Sequence, residues 1–517
     1  MRESRVKKSL LNARVNLICY FVSLLVAFFT RKIFLDRLGT EFIGFTGTLQ
    51  SLLGFLNLAE LGVSSAIGYV LYKPIFDDNH HKINEIISVF GYLYRCIGLF
   101  ILGVGVILSC FLPLIFPFTS FSWGIIYLGF YSYLAASLLT YFVNYKMTLL
   151  AADQRNYEIM GYYQTVVSTK MLTQMALAYY VSSFSLFLII ELFFGCIYSI
   201  ILNFRIRQVY PWLEANVRKG RQLFKEYPEI WKYIKQLFVH KIGGFVQSQL
   251  TPFLIYSYIT LPVVALYGNY TLITQKLQGL VCSILDSTNA GVGNLIAQGN
   301  SDSIYQTFKE LLSFRLFCSG FCSLVTFSMI NPLIVVWLGA QYQLPNSVVF
   351  LITIQLYLWM LRGATDQFLF GFGLFYDVWA PIVESAIFVV VAMVGGTLYG
   401  LQGVLAGPIV SLLIIVYIWK PYFLFSKGFK RSVWHYWLIL MFHITIVFAI
   451  GFGTRNIFSY FDIAHDIDAS WSNLLFGGFI YVAICFICYL FIQILVSAAF
   501  RKMIIKLLYQ VKQRHNR

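Results

Sequence analysis

Long apolar stretches follow one another along almost the whole chain, separated by short polar segments. Solid runs of about twenty apolar residues are what a bilayer's hydrocarbon core demands of an α-helix. A membrane β-barrel would instead show segments of about ten residues with alternating polarity. Runs at 12–31, 43–71, 84–110, 122–145, 159–180, 184–204, 236–259, 263–290, 310–330, 346–370, 378–396, 400–419, 437–454 and 473–499 predict about fourteen transmembrane helices. The expected fold class is an all-α polytopic membrane protein with both termini cytoplasmic.

Composition agrees with that pattern. Hydrophobic residues make up 59% of the 517 and charged residues 12%, with a mean hydropathy of +0.73. Soluble domains run near half apolar and about a quarter charged. Little chain is left for a soluble catalytic domain. The 38 Lys and Arg outnumber the 22 Asp and Glu, for a net charge of +16, and their placement orients the spans. With both termini inside, 27 of the 38 fall in the inward segments 1–11, 72–83, 146–158, 205–235, 299–309, 371–377, 420–436 and 500–517. Outward segments hold Arg31, Lys32, Arg37 and Arg455 alone, as the positive-inside rule requires. The N-terminal run carries no small-residue cleavage site and reads as a retained first span. Two basic segments, 205–235 with Trp212, Phe224, Tyr227 and Trp231, and the tail from Arg501 with Met503, Ile504, Leu507, Leu508 and Val511, read as helices lying on the anionic leaflet. That placement accounts for the basic and aromatic residues without nucleic acid.

The usual chemical motifs are missing. No phosphate-binding G-x-x-x-x-G-K-S/T, nucleophile-elbow G-x-S-x-G or zinc-binding H-E-x-x-H occurs, and no cofactor is expected. The nine cysteines sit in apolar runs, and Cys485-Phe-Ile-Cys488 reads as small buried hydrophobes. His80-His81 reads as a solvated turn.

The first twelve spans divide into two sixes that echo each other. Arg95 precedes Pro113-Leu-Ile115 much as Arg315 precedes Pro332-Leu-Ile334, and Asn57–Ala66 has a looser counterpart in Asp286–Gly291. An even number of spans per repeat gives both halves the same topology, related by an axis along the membrane normal. The expected organisation is an N-lobe at 1–204, a basic linker at 205–235, a C-lobe at 236–419, two extra helices within 420–499 and a basic tail at 500–517.

The residues Arg31…Leu38-Gly39…Phe42-Ile-Gly44, Leu56…Leu58-Ala-Glu60-Leu-Gly62-Val63…Ala66-Ile67, Leu149-Leu-Ala-Ala-Asp153-Gln-Arg155-Asn-Tyr157 and Trp337-Leu-Gly339 resemble a known family. It is the Wzx-type polysaccharide-repeat-unit flippases of the multidrug/oligosaccharidyl-lipid/polysaccharide (MOP) exporter superfamily. The resemblance implies a bacterial inner-membrane protein that moves undecaprenyl-pyrophosphate-linked oligosaccharide to the periplasmic leaflet by alternating access. The product would be O-antigen, capsule or exopolysaccharide. It also implies a cationic cavity, a coupling ion (H+ or Na+), contact with inner-membrane lipids, and a polysaccharide polymerase and other assembly proteins as partners. A peptidoglycan-precursor flippase and a MATE-like small-molecule antiporter are the neighbouring alternatives. A membrane glycosyltransferase is disfavoured by the short outward loops.

Charges inside spans are costly, about 2.5–3.5 kcal/mol each on insertion scales, and so point to partners or function. Lys170, Lys276, Arg95, Arg31 and Lys241 are the candidate cations for an anionic headgroup. Glu60 and Asp286 are candidate coupling groups or counter-ions. Arg362 and Asp366, four apart, predict an ion pair, while Arg315 and Glu384 lie near enough to the cytoplasmic face to snorkel. The expected topology is checked by reporter fusions: a cytoplasm-dependent fluorescent reporter inserted after Arg218 should fluoresce, and one inserted after Asp466 should stay dark.

Overall fold

The computed structural model describes residues 5–117, 119–153, 155–285, 292, 293, 295, 296, 298–374, 376–460 and 470–505. Side chains at 5–10, 12, 13, 16, 17, 236, 237, 239–241, 243, 244, 247, 284 and 455–460 are not described. The described chain is helical, without strands. Its principal elements are α1 (Arg5–Leu56), α2 (Val63–Phe76), α3 (His80–Ser109), α4 (Trp123–Phe142), α5 (Tyr157–Tyr180), α6 (Phe184–Val209), α7 (Pro228–Tyr258) and α8 (Leu261–Leu285). They continue with α9 (Ser301–Trp337), α10 (Asn346–Leu361), α11 (Gly363–Gly371), α12 (Trp379–Tyr399), α13 (Leu401–Ser411), α14 (Trp434–Tyr460) and α15 (Trp471–Val496). The helical rod of α13 is prolonged to Phe429 by π-helical turns that accommodate Pro421.

Ten stretches are long and apolar enough to cross a membrane, among the described residues. Three expected spans, on α5, α7 and α8, fall outside those ten. Their helices have the necessary length but carry polar faces, as Gln164, Ser168, Thr169, Lys170, Thr173 and Gln174 do on α5. The first two expected spans meet differently from the expectation of a loop at 32–42. The chain stays helical from Arg5 to Leu56 except at Gly39, whose φ of 81° and ψ of 163° reverse the backbone where side chains rarely permit it. Arg31, Lys32, Asp36, Arg37 and Glu41 crowd this point, so the break coincides with a polar interval between two apolar stretches. Glu41 also accepts bonds from Ser120 N at 3.0 Å and Ser120 Oγ at 2.8 Å. A second break follows α1: the 3-10 turn Asn57–Glu60 leads into Gly62, at φ 88°.

The chain separates into two compact units, Met1–Ala265 and Leu266–Arg517. The first therefore includes α7, which the sequence division assigns to the second lobe. Its packing gives the reason. Gly54 of α1 admits Gln249 of α7 where a Cβ would come within 2.0 Å of Gln249 Oε1, and Phe55 meets Phe245 at 6.2 Å between ring centroids.

The basic segment 205–235 differs from the expected surface helix. Between the end of α6 at Val209 and the start of α7 at Pro228 it runs as a strap along the start of α3, with α-helix only at Gly220–Leu223 and a 3-10 turn at Phe224–Glu226. Asn84 takes the Glu214 amide at 2.9 Å and donates to Trp212 O at 3.3 Å, and Ser88 Oγ takes the Asn216 amide at 2.9 Å. His80 stacks on Trp212 at 3.8 Å. Tyr227 donates to Glu85 at 2.7 Å, and burial, then that carboxylate, raise its phenol above the ordinary range. Side-chain hydrogen bonds to one helix, rather than an apolar stripe, hold this segment. The tail also departs from expectation up to residue 505: Phe500 is buried with Phe317 and Tyr489, and Met503 and Ile504 pack on the same cluster. Leu507, Leu508 and Val511 lie outside the described residues.

In the second unit, α12 and α13 approach at Gly395 and Gly403, where a Cβ on Gly403 would stand 1.8 Å from Gly395 O. Small residues give such close helix approach in a bilayer. Gly403→Leu should therefore cost about 1–3 kcal/mol, read as a lowered thermal midpoint in detergent. Gly453→Ala, in open space, should leave the midpoint unchanged.

Candidate functional site

Helices α5 and α6 form an antiparallel hairpin across Val181–Ser183, with Ser183 Oγ accepting the Leu186 amide at 3.4 Å. Residues about ten positions either side of such a turn face each other. Lys170 meets Glu191 there: Nζ donates to Oε1 at 2.6 Å, and each side chain is 19% exposed. Gln174, one turn on and buried, donates from Nε2 to Glu191 Oε2 at 3.3 Å and to Phe187 O at 3.1 Å. Lys170 shares its helix stripe with buried Val166, Gln174 and Ala178, so it points into the bundle.

Glu60 ends the 3-10 turn after α1. Tyr94 of α3 donates to its Oε1, and Tyr141 of α4 stands 3.1 Å from Oε2. Tyr141 Oη is also 2.9 Å from Asn57 Oδ1, which accepts from Ser137 Oγ at 3.2 Å. Tyr133, Ser137 and Tyr141 follow every fourth position on α4 and make one polar face. At its other end buried Tyr133 stands near Glu191. The face thus runs from the Lys170–Glu191 pair to Glu60 inside the first unit.

The remaining expected residues are placed separately. Arg31 Nη2 donates to Ala265 O at 3.0 Å, so this arginine ties α1 to the first turns of α8. Arg95 is exposed on α3, near Tyr145. Its repeat counterpart Arg315 is buried and donates to Met360 O at 3.2 Å, packed against Gly363. The burial of Arg315 corrects the snorkelling expectation, and Glu384 is likewise buried. Lys276 is half-buried on α8. The Lys241 side chain and Asp286 lie outside the described residues. The expected pair forms, with Arg362 Nε donating to Asp366 Oδ2 at 2.9 Å, and Lys420 joins it at 3.3 Å from Oδ1.

The Leu149–Tyr157 motif holds the end of α6. Tyr210 donates to Asp153 at 2.9 Å, and Arg205 donates to Glu158 at 2.7 Å. Burial, then Asp153, push the Tyr210 phenol upward, while burial, then Arg207, lower the Lys146 ammonium.

The second unit contains a cavity of about 900 Å³ between α9, α10 and the C-terminal pair α14 and α15. Leu324, Phe327, Phe350, Ile444, Phe448 and Phe452 give it an apolar wall. Asn331, Gln343 and Asn346 make a polar patch, with Asn331 Nδ2 donating to Asn346 Oδ1 at 2.9 Å. Behind it, buried His443 of α14 bonds to Tyr357 Oη at 3.1 Å and to Tyr489, and Gly320 leaves the space that Tyr489 Oη fills.

Glu191, Tyr94 and Tyr141 are absent from the expected site residues. Glu191 had a signal: it is an isolated carboxylate in the run Phe184–Ile206, two sides of a short turn from Lys170. The two tyrosines had none, being two of 35.

A helical chain with this many apolar stretches is a multi-pass membrane protein. Its fold is similar to those of solved structures of a flippase and of multidrug transporters. A solved structure titled lipid II flippase MurJ in an inward closed conformation matches with a TM-score of 0.64 at 14% identity, covering 94% of this chain and 99% of that one. An inward-facing multidrug-resistance MATE transporter of the MOP superfamily matches at 0.58 with 12% identity, covering 80% and 95%. Its outward-facing counterpart matches at 0.55 with 13%, covering 83% and 97%. No protein-family profile and no curated protein matches the sequence.

Glu60 depends on two phenols for its hydrogen bonds. Tyr94→Phe and Tyr141→Phe should each cost about 1 kcal/mol, the net worth of a hydrogen bond to a half-buried carboxylate. Thermal unfolding in detergent checks this, with exposed Tyr72→Phe as the unchanged reference.

Proposed function

We propose that this protein translocates polyprenyl-diphosphate-linked oligosaccharide across the bacterial inner membrane by alternating access, for surface polysaccharide synthesis. The observation that carries this reading is the 900 Å³ cavity whose wall includes α14 and α15. An apolar space of this size within membrane helices suits an isoprenoid chain. It depends on a helix pair at the end of a chain that the flippase match covers more fully than the MATE matches do, 94% against 80% and 83%. A lipid-linked cargo uses that pair; a small water-borne drug has no need of it.

The headgroup reading rests on the cations. Lys170 and Lys276 lie well inside helices and are proposed to attract the diphosphate as the headgroup crosses, with Arg95, Arg31 and Lys241 as further cations along its way. An ammonium in a low-dielectric setting attracts phosphate strongly. Glu60, held by Tyr94 and Tyr141, is proposed as a coupling group for H+ or Na+, with Asp286 as a second. Fourteen crossings in a 6+6+2 order, with both termini cytoplasmic, complete the proposal. A peptidoglycan precursor offers the same diphosphate and isoprenoid, so the glycan distinguishes the two flippase readings.

The test is headgroup accessibility in proteoliposomes. Wild type should move an undecaprenyl-diphosphate oligosaccharide across the bilayer. Lys170→Ala, Lys276→Ala and the cavity-filling Val447→Trp should each slow it about tenfold or more with normal insertion. Full activity of the Lys170/Lys276 double alanine variant removes the cationic part of the reading. Transport of a small-molecule drug with none of the lipid-linked sugar favours the antiporter instead. Preference for lipid II favours the peptidoglycan-precursor reading.

A further inference from the structure

The Lys170–Glu191–Gln174 arrangement is more specific than an ion pair. Glu191 presents two oxygens to two different donors: Oε1 takes Lys170 Nζ at 2.6 Å, and Oε2 takes Gln174 Nε2 at 3.3 Å. A phosphate presents two adjacent oxygens in a similar way. Gln174 has two amide hydrogens, and the second is committed to Phe187 O, so its orientation survives the loss of Glu191. Lys170 has three donor hydrogens, and at 19% exposure the pair remains reachable from outside the bundle. Thr169 and Thr173 flank Lys170 on α5, Thr173 Oγ1 donating to Thr169 O at 2.8 Å.

Electrostatics require some anion at this place. A bare ammonium among apolar helices is costly, and Glu191 neutralises it. While the carboxylate is bound, however, the pair has no net charge to attract a diphosphate. From α4, buried Tyr133 stands near Glu191; from α1, Phe34 packs on Phe187 one turn before it. Among the described residues, no second cation is seen bonded to the carboxylate.

Resting on the flippase reading above, we infer that Glu191 is a resident stand-in for the cargo's phosphate: an anionic headgroup takes its place on Lys170 and Gln174. The exchange keeps an anion on Lys170 throughout, so the ammonium is never left bare. Glu191, 19% exposed, swings off Lys170 when displaced. The site thus discriminates by competition, admitting only an anion that outcompetes a tethered carboxylate. The chemistry recognised is a phosphate or diphosphate ester, from either the cargo or an ordinary phospholipid.

Binding of undecaprenyl diphosphate to the full chain in neutral-lipid nanodiscs tests this. Glu191→Gln keeps the side-chain shape and a hydrogen-bonding oxygen but removes the competing charge, and should tighten binding about tenfold. Lys170→Ala should abolish binding, and adding Glu191→Gln to it should restore nothing. A Glu191→Gln variant that folds, judged by an unchanged elution profile, and binds no tighter than wild type overturns the exchange while leaving the flippase reading intact. Absence of diphosphate binding by both wild type and Glu191→Gln overturns both. Displacement by phosphatidylglycerol at equal concentration assigns the site to bilayer phospholipid and overturns the cargo assignment.

Discussion

A charge inside a hydrocarbon layer has no water to solvate it, and most of this protein's internal arrangement answers that constraint. Lys170 is met by Glu191, Arg362 and Lys420 by Asp366, and Glu60 by the phenols of Tyr94 and Tyr141. Arg31 and Arg315 spend donors on backbone carbonyls. Each solution links two or more helices, so the polar groups also act as register marks between surfaces that are otherwise interchangeably apolar. In a membrane the apolar contacts themselves carry little specificity, because lipid tails are as good a partner as another leucine.

Backbone breaks serve the same end. Gly39 turns the chain where charges crowd, and the 3-10 turn at Asn57–Glu60 followed by Gly62 carries a carboxylate into the bundle with its donors in place. In the second unit, Gly395 and Gly403 let two helices nearly touch, and Gly320 makes room for the Tyr489 hydroxyl beside His443. The Gly320 contact seats the C-terminal helix pair against α9, where the pair lines one side of the apolar cavity. Without α14 and α15 that space would be a lipid-facing surface.

Helix type and membrane class were legible from the apolar runs alone, because a span's length and hydrophobicity are local properties. Lys170 and Glu60 were legible as residues needing partners for the same reason. The Arg362–Asp366 pair followed from i, i+4 spacing on one helix. Less legible was the segment 205–235, whose basic and aromatic composition suggested a surface helix. Asn84, Glu85 and Ser88, more than a hundred residues away, hold it as a strap instead. Of the expected counterparts Arg95 and Arg315, one is exposed and the other buried, since spacing does not specify which face of a helix meets a neighbour.

What the sequence determined by itself, then, was the helical, multi-pass class and the few groups too costly to leave unpaired. Only the tertiary structure decided who the partners are. Glu191 rather than Glu60 meets Lys170, two tyrosines rather than a cation hold Glu60, and α7 packs with the first unit. The physical reason is that burial energy depends on residue type and run length, both readable along the chain. Pairing depends instead on which helix faces come together, and that is set by long-range packing.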